Sequence, residues 1–265
     1  MIFLIILISI AIIIIAFIVY FNSFEYNYKN VISKVFVINL IKRTERLAFF
    51  SSRYNLQIPI DIFNAVDGKL LDIPKMIDDN VIGRIGASSL NRERDSHYQL
   101  TNEGSIGCYL SHYNLWKKIL ELNDDNFLIF EDDTIFNEIS LKEINYRLSK
   151  IPKDWDIFLL SNPNSCYTKD KINRKLFKVK RFFLTNAYII NKKGIRKIFD
   201  TNTIFPINQQ LDSYLSELAI DYNLNIYVNS SNFRYYKQST DFITDIQETY
   251  KLKKELSFDR CFITS

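Results

Sequence analysis

Six short runs rich in β-branched and aromatic residues recur along the 265-residue chain, most of them followed by a stretch with helical spacing. The first, "KVFVINL" (34–40), gives way to "KRTERLAFFSSRY", where Leu47, Phe50 and Tyr54 fall on one helical face. "PIDIFNAVDG" reads as a second strand closing on an Asp-Gly turn. "GSIGCYLSHYNLWKKILEL" (104–122) is an amphipathic helix with Ser105 as its expected N-cap. "FLIFE", "WDIFLLS", "NAYIIN" and "LNIYV" supply four more strands, with helices expected near 140–149, 192–199 and 209–219. Such alternation predicts an α/β fold, a mostly parallel sheet with helices on both faces. The polar segment 72–103 reads as a long irregular lid, and the residues after Tyr235 as a weakly patterned tail.

Two boundaries flank that body. Ile2 to Phe21 carries no charge and is long enough to cross a bilayer as a helix, since about 20 apolar residues suffice. Nothing basic precedes it and bulky residues continue through Tyr20 and Phe21, which favours a retained single-pass anchor over a cleaved signal peptide. The expected organisation is an anchor (1–21), a polar stalk (22–33), a catalytic domain (34–235) and a tail (236–265). Lys29 and Lys34 favour a cytosolic body by the positive-inside rule, whereas the "NSS" sequon at Asn229 has meaning only in a lumenal one. A net charge of +4 spread over the chain does not suggest nucleic-acid binding. Three scattered cysteines and two histidines, without CxxC or HExxH, argue against a structural or catalytic zinc site.

The feature that points to chemistry is "FLIFEDDTIF" (127–136). A strand that reads as buried ends in Glu131, Asp132 and Asp133, three adjacent carboxylates whose repulsion needs a compensating positive charge. In an open α/β sheet ligands bind at the carboxyl ends of strands. Carboxylates there suit a hard divalent cation, Mn²⁺ or Mg²⁺, that also holds the phosphates of a sugar-nucleotide donor. If the strand continued past Glu131, Glu131 and Asp133 would share one face. No P-loop accompanies the cluster, which disfavours a phosphotransferase or nuclease.

Several blocks, in order, carry a resemblance: "VFVINLIKRTER", "FNAVDGK", "GSIGCYLSHYNLWKKI", "FLIFEDDTIF", "TNAYIINKKGIRKI" and "PINQQLDSYLSE". Together, over about residues 34–230, they resemble glycosyltransferase family 25, which includes bacterial lipooligosaccharide galactosyltransferases and collagen hydroxylysine galactosyltransferases. The resemblance implies a GT-A fold with a Rossmann-like sheet and a UDP-sugar donor. It further implies a divalent metal and inverting transfer of a hexose, galactose or glucose, to a glycan or protein hydroxyl. A non-catalytic relative acting as a binding or adhesion module is the alternative.

Site roles follow residue by residue. Asp133 is the expected direct metal ligand, Asp132 the second, and Glu131 supports them. Asn39, Leu40, Arg43 and Arg46 would cradle the nucleotide, and Asp67 would accept from ribose hydroxyls. Gly104, Gly107, Ser111 and His112, opening the long helix, would meet the diphosphate or the donor sugar. Asp212, six residues after Pro206 where relatives often place the two closer, is the expected general base. Cys108 and Trp116 read as core. The basic run from Lys169 to Arg181 reads as a solvated loop.

Overall fold

The computed structural model describes residues 9–17, 31–92, 96, 98–136, 141–160, 170–229 and 236–238. Helical residues 9–17 (α1) come from the apolar N-terminal run, the rest of which lies outside the described residues. Among the described residues no helix is long and apolar enough to cross a membrane.

The body then runs β1 (Lys34–Asn39), α2 (Thr44–Arg53), β2 (Ile60–Asn64), a 3₁₀ turn (Gly68–Leu70), α3 (Ile73–Asp78), α4 (Arg84–Ser89) and α5 (Glu103–Glu121). It continues with β3 (Asn126–Glu131), β4 (Thr134–Phe136), α6 (Leu141–Leu148), β5 (Ile157–Leu159), β6 (Leu176–Val179) and β7 (Ala187–Asn191). Last come α7 (Lys192–Asp200), α8 (Leu211–Asp221), β8 (Ile226–Asn229) and β9 (Tyr236–Gln238). The seven-stranded sheet has the order β2-β1-β3-β7-β5-β8-β6, and β4 pairs with β9 in a separate ribbon.

Strand periodicity builds the core. In β1, Val35 and Val37 enter one apolar layer while Phe36 and Ile38 enter the other; β3 alternates likewise, Leu128 and Phe130 against Phe127 and Ile129. Phe50 of α2 and Ile144 and Leu148 of α6 cover the first face. Helices α5, α7 and α8 cover the second, through residues such as Trp116, Ile195 and Leu215. Helices on both faces of a central sheet are what the alternation of runs required.

The sheet is mixed rather than mostly parallel. β1 pairs in parallel with β2 and β3, and β5 with β8, but β7 runs antiparallel to both β3 and β5, and β6 antiparallel to β8. A buried strand shows the same continuous apolar run in either direction, so "NAYIIN" carried no sign of its polarity.

Four local expectations also change. The segment 72–103 is not wholly irregular: Asp72 caps α3 by accepting from the Lys75 amide at 3.1 Å, and Gly83 leads into α4. The N-cap of α5 is Asn102, whose Oδ1 accepts from the Ser105 amide at 3.3 Å; Ser105 lies inside the first turn. The basic run contains β6, whose Leu176 and Val179 are buried, so part of it is sheet edge. Finally, β9 lies just beyond residue 235, which extends the folded unit into the expected tail.

Candidate functional site

Parallel strands β2, β1 and β3 end on the same edge of the sheet. From β1 the chain passes through α2, on one face, to β2; it then returns through α5, on the other face, to β3 on the opposite side of β1. That reversal leaves a crevice between the carboxyl ends of β1 and β3, the place where such sheets bind ligands. A cavity opens there, lined by Leu40 and Arg46 after β1, Ala65 to Lys69 after β2, Asn102 to Gly104, Cys108, Ser111 and His112 of α5, and Glu131 to Asp133.

The three carboxylates fall into two environments. Strand alternation stops at Glu131, because Asp132 and Asp133 form the turn between β3 and β4; Glu131 and Asp133 therefore do not share a face. Both aspartates turn instead toward the buried Arg46, whose Nη2 lies 2.7 Å from Asp132 Oδ1 and 2.9 Å from Asp133 Oδ2. Asn39 Nδ2 donates to Asp132 Oδ2 at 2.7 Å and to the Arg43 carbonyl at 3.1 Å. A guanidinium is thus the positive charge that the acidic tip requires.

Glu131 faces α5. Its Oε1 accepts from the Thr185 hydroxyl at 2.8 Å and lies 3.3 Å from His112 Nε2. Nδ1 of the same ring is 2.8 Å from the Tyr188 hydroxyl, which accepts from Trp116 Nε1 at 3.0 Å. Burial pushes the Glu131 carboxyl up, but the His112 ring, the Thr185 hydroxyl and the charge of Arg46 outweigh it and hold it below the usual carboxylate range. Cys108 also borders this pocket: its sulfur, a His112 ring nitrogen and a Glu131 oxygen lie within 4.8 Å of one another. Burial, then the negative field of Glu131, Asp212 and Asp133, push its thiol well above the ordinary value, so it is protonated and a poor nucleophile.

Two glycines set the approach of α5. A Cβ on Gly107 would stand 2.6 Å from the Val66 carbonyl oxygen, and one on Gly68 would stand 2.0 Å from that of Glu103. Ser111 completes the clasp, its hydroxyl donating to the Gly107 carbonyl at 2.6 Å and accepting from the Val66 amide at 2.8 Å. The room at Gly107 is therefore filled by backbone rather than left for a ligand. Asp67 ion-pairs with Lys42 and accepts from the Lys69 amide at 3.1 Å, capping the 3₁₀ turn. Lys42 is the main reason its carboxyl sits below the usual range.

Of the residues singled out from sequence, Leu40, Arg46, Asp67, Gly104, Ser111, His112, Glu131, Asp132 and Asp133 line this one cavity. Asn39, Arg43, Gly107 and Asp212 do not line it. Asn39 orients Asp132 from behind, and Arg43 contacts Glu45 at 3.5 Å at the start of α2. Asp212, in the first turn of α8, accepts from the Leu184 amide at 2.9 Å and from the Ser213 amide at 2.7 Å. Leu184 has φ of 70°, a conformation costly for a side chain bearing a Cβ, and this bond holds the bend that delivers Thr185 to Glu131. Thr185 and Tyr188 escaped the sequence reading, as did the place of Cys108 in the cavity wall. The spacing of Cys108 and His112, four apart on a helix, was the available signal.

The chemistry of the donor set fits a hard divalent cation. Two aspartate oxygens converge on one point of positive charge, now the Arg46 Nη2, and hard oxygen donors are what Mn²⁺ or Mg²⁺ prefers.

Residues 32–224 match the sequence model of Glycosyltransferase family 25 (LPS biosynthesis protein), well over half of the chain. Among curated relatives, a glycosyltransferase 25 family member of Anopheles gambiae is 27% identical over 190 residues, 68% of this chain and 31% of that one. Procollagen galactosyltransferase 1 of Danio rerio is 25% identical over 174 residues, 62% of this chain and 28% of that one. An inactive glycosyltransferase 25 family member 3 of Mus musculus is 28% identical over 179 residues, again 62% and 28%. The chain spans less than a third of the length of these relatives.

Proposed function

The chain belongs to glycosyltransferase family 25, and from that premise we propose that it is an inverting GT-A-type glycosyltransferase. It moves a hexose, galactose or glucose, from a UDP-sugar to a hydroxyl of a glycan or of a hydroxylysine-type protein side chain. The observation that carries the reading is the cavity at the β1–β3 crevice, where Arg46, Asp67 and three carboxylates meet the first turns of α5.

Each group has a task in this reading. Leu40 and the backbone beside it form the wall for the base, and Asp67 accepts from ribose hydroxyls. Arg46 has a planar fork of donors that fits phosphate oxygens as well as carboxylates, so it turns toward the diphosphate when the donor enters. Asp133 and Asp132 would hold Mn²⁺ or Mg²⁺, with Glu131 in support. The bound ion would offset the charge that gathers on the leaving diphosphate. His112 and Ser111 keep α5 against the strand ends and limit water around the sugar. Asp212, which stands outside the cavity lining, is the candidate to take the proton of the attacking acceptor hydroxyl on the resemblance alone. The apolar N-terminal run serves as a single-pass anchor with a polar stalk, which keeps the catalytic domain beside a membrane-held acceptor.

The test is a screen of UDP-hexoses on the full chain in detergent with Mn²⁺, reading UDP release. Release from UDP-galactose or UDP-glucose is expected; silence with every donor overturns the reading. A second reading, a non-catalytic binding module, has support from the inactive mouse relative, which is as similar as the others. It has further support from Arg46, which already balances Asp132 and Asp133 within the protein itself. Calorimetric nucleotide binding without turnover would select it.

A further inference from the structure

Glu131 belongs to a different chemical setting from the two aspartates beside it, with an imidazole nitrogen and a thiol sulfur as well as a hydroxyl for neighbours. Cys108 and His112 lie one helical turn apart on α5, so their side chains share a face. Both border the cavity opposite Glu131. A thiol, an imidazole and a carboxylate, each offering one ligand atom and all within 4.8 Å, form a cluster distinct from the Asp132–Asp133 pair. We propose that Cys108, His112 and Glu131 form a second cation site, selective for a thiophilic divalent ion of the zinc class, with water as the fourth ligand.

Three observations support the assignment. The first is spacing. Nitrogen and oxygen ligands about 2.0–2.1 Å from a tetrahedral ion stand about 3.3 Å from each other. His112 Nε2 and Glu131 Oε1 are 3.3 Å apart, so an ion between them replaces a hydrogen bond without moving either group far. The second is the outer shell. A metal-bound imidazole works best when its other nitrogen is held, and Nδ1 has the Tyr188 hydroxyl at 2.8 Å, itself fixed by Trp116. Thr185 holds the same Glu131 oxygen at 2.8 Å and so sets the carboxylate's rotation. The third is position: all three ligands border the cavity, His112 wholly buried and Glu131 18% exposed, so an ion would reach the cluster from the cavity side past Glu131.

Donor softness separates the two sites. Thiolate and imidazole favour zinc-class ions, whereas Mg²⁺ prefers an all-oxygen shell. On binding, the Cys108 thiol gives its proton to solvent and the sulfur bonds the metal, so one proton is released per ion. The site rests on geometry of this chain and not on the glycosyltransferase reading.

The test uses the full chain in detergent with Cys166→Ser and Cys261→Ser, leaving Cys108 as its one thiol. Titration with Co²⁺ should give a thiolate-to-cobalt charge-transfer band saturating at one equivalent. Zn²⁺ should displace that band stoichiometrically, and a hundredfold excess of Mg²⁺ should not. Cys108→Ser should abolish the band while Asp132→Asn with Asp133→Asn leaves it in place. In the same background, one equivalent of Zn²⁺ should slow alkylation of Cys108 at least tenfold, which needs no further substitution. Absence of the band, its survival in Cys108→Ser, displacement by Mg²⁺, or unslowed alkylation each overturns the proposal. UDP release measured on the same sample reports separately on the catalytic reading, since either result can occur without the other.

Discussion

Asp132–Asp133 and Glu131 are neighbours in sequence, yet the fold balances their charges by different means. The aspartates face Arg46, a permanent cation, with its side chain only 9% exposed. Glu131 instead contacts a histidine ring and a hydroxyl, and the charge of Arg46 acts on it through the electrostatic field. The difference arises at one backbone point: β3 ends at Glu131, and the turn that follows swings the next two carboxylates to the α2 side. A run of like charges is therefore tolerable when the chain divides it between two sets of partners.

The largest expected effect probes the aspartate side. Arg46→Met removes the cation and leaves two buried carboxylates facing each other, which should cost about 3–5 kcal/mol in urea unfolding. Adding Asp132→Asn and Asp133→Asn to that variant should restore most of the loss. Wild-type stability in Arg46→Met would show that the guanidinium is not what these carboxylates depend on. Next in size is function: Asp133→Asn should lower UDP release about 10²–10³-fold with the fold intact by circular dichroism. Undiminished turnover would remove Asp133 from the proposed metal position.

On the other side the effect should be smaller. Thr185→Val deletes one hydrogen bond to a carboxylate that keeps His112, so about 1.5 kcal/mol is expected by thermal melting. A loss as large as that of Arg46→Met would erase the distinction between the two environments. The smallest effect is at the rim, where Lys42 and Asp67 make the same kind of pair with Lys42 47% exposed. Lys42 holds the Asp67 carboxyl below its unfolded value, so the stabilisation is complete above about pH 4 and fades as pH falls through the lower folded value. Lys42→Met should remove less than about 1 kcal/mol at neutral pH and flatten that acid-side dependence. A larger loss would mean that burial is not what separates Arg46 from Lys42.

Much of this was legible in the chain. Apolar runs located β1, β2, β3, β5, β7 and β8 but not the short β4, β6 and β9, and the acidic end of "FLIFE" marked the ligand edge, because both signals depend on local pattern alone. The polarity of β7 was not legible, since strand direction is set by neighbours that are distant in sequence. Arg46 was singled out as a phosphate contact, but its present partners depend on how α2 packs against the β3 turn. Gly107 read as an opening for ligand, and the structure fills it with the carbonyl of Val66. The role of Asp212 in holding Leu184 had no sequence signal, because left-handed backbone at a leucine follows from tertiary context.

The ribbon of β4 and β9 has one further consequence. Thr134–Phe136 begin directly after the acidic turn, and their antiparallel partners are Tyr236–Gln238, about a hundred residues later. On the ribosome the turn must wait for about a hundred further residues to emerge before its flanking strand acquires a mate. Strand β1, by contrast, can zip to β2 as soon as α2 has formed. The β1–β2 side of the crevice can thus form first, and the element beside its charged lip is sealed only after every strand of the seven-stranded sheet has emerged.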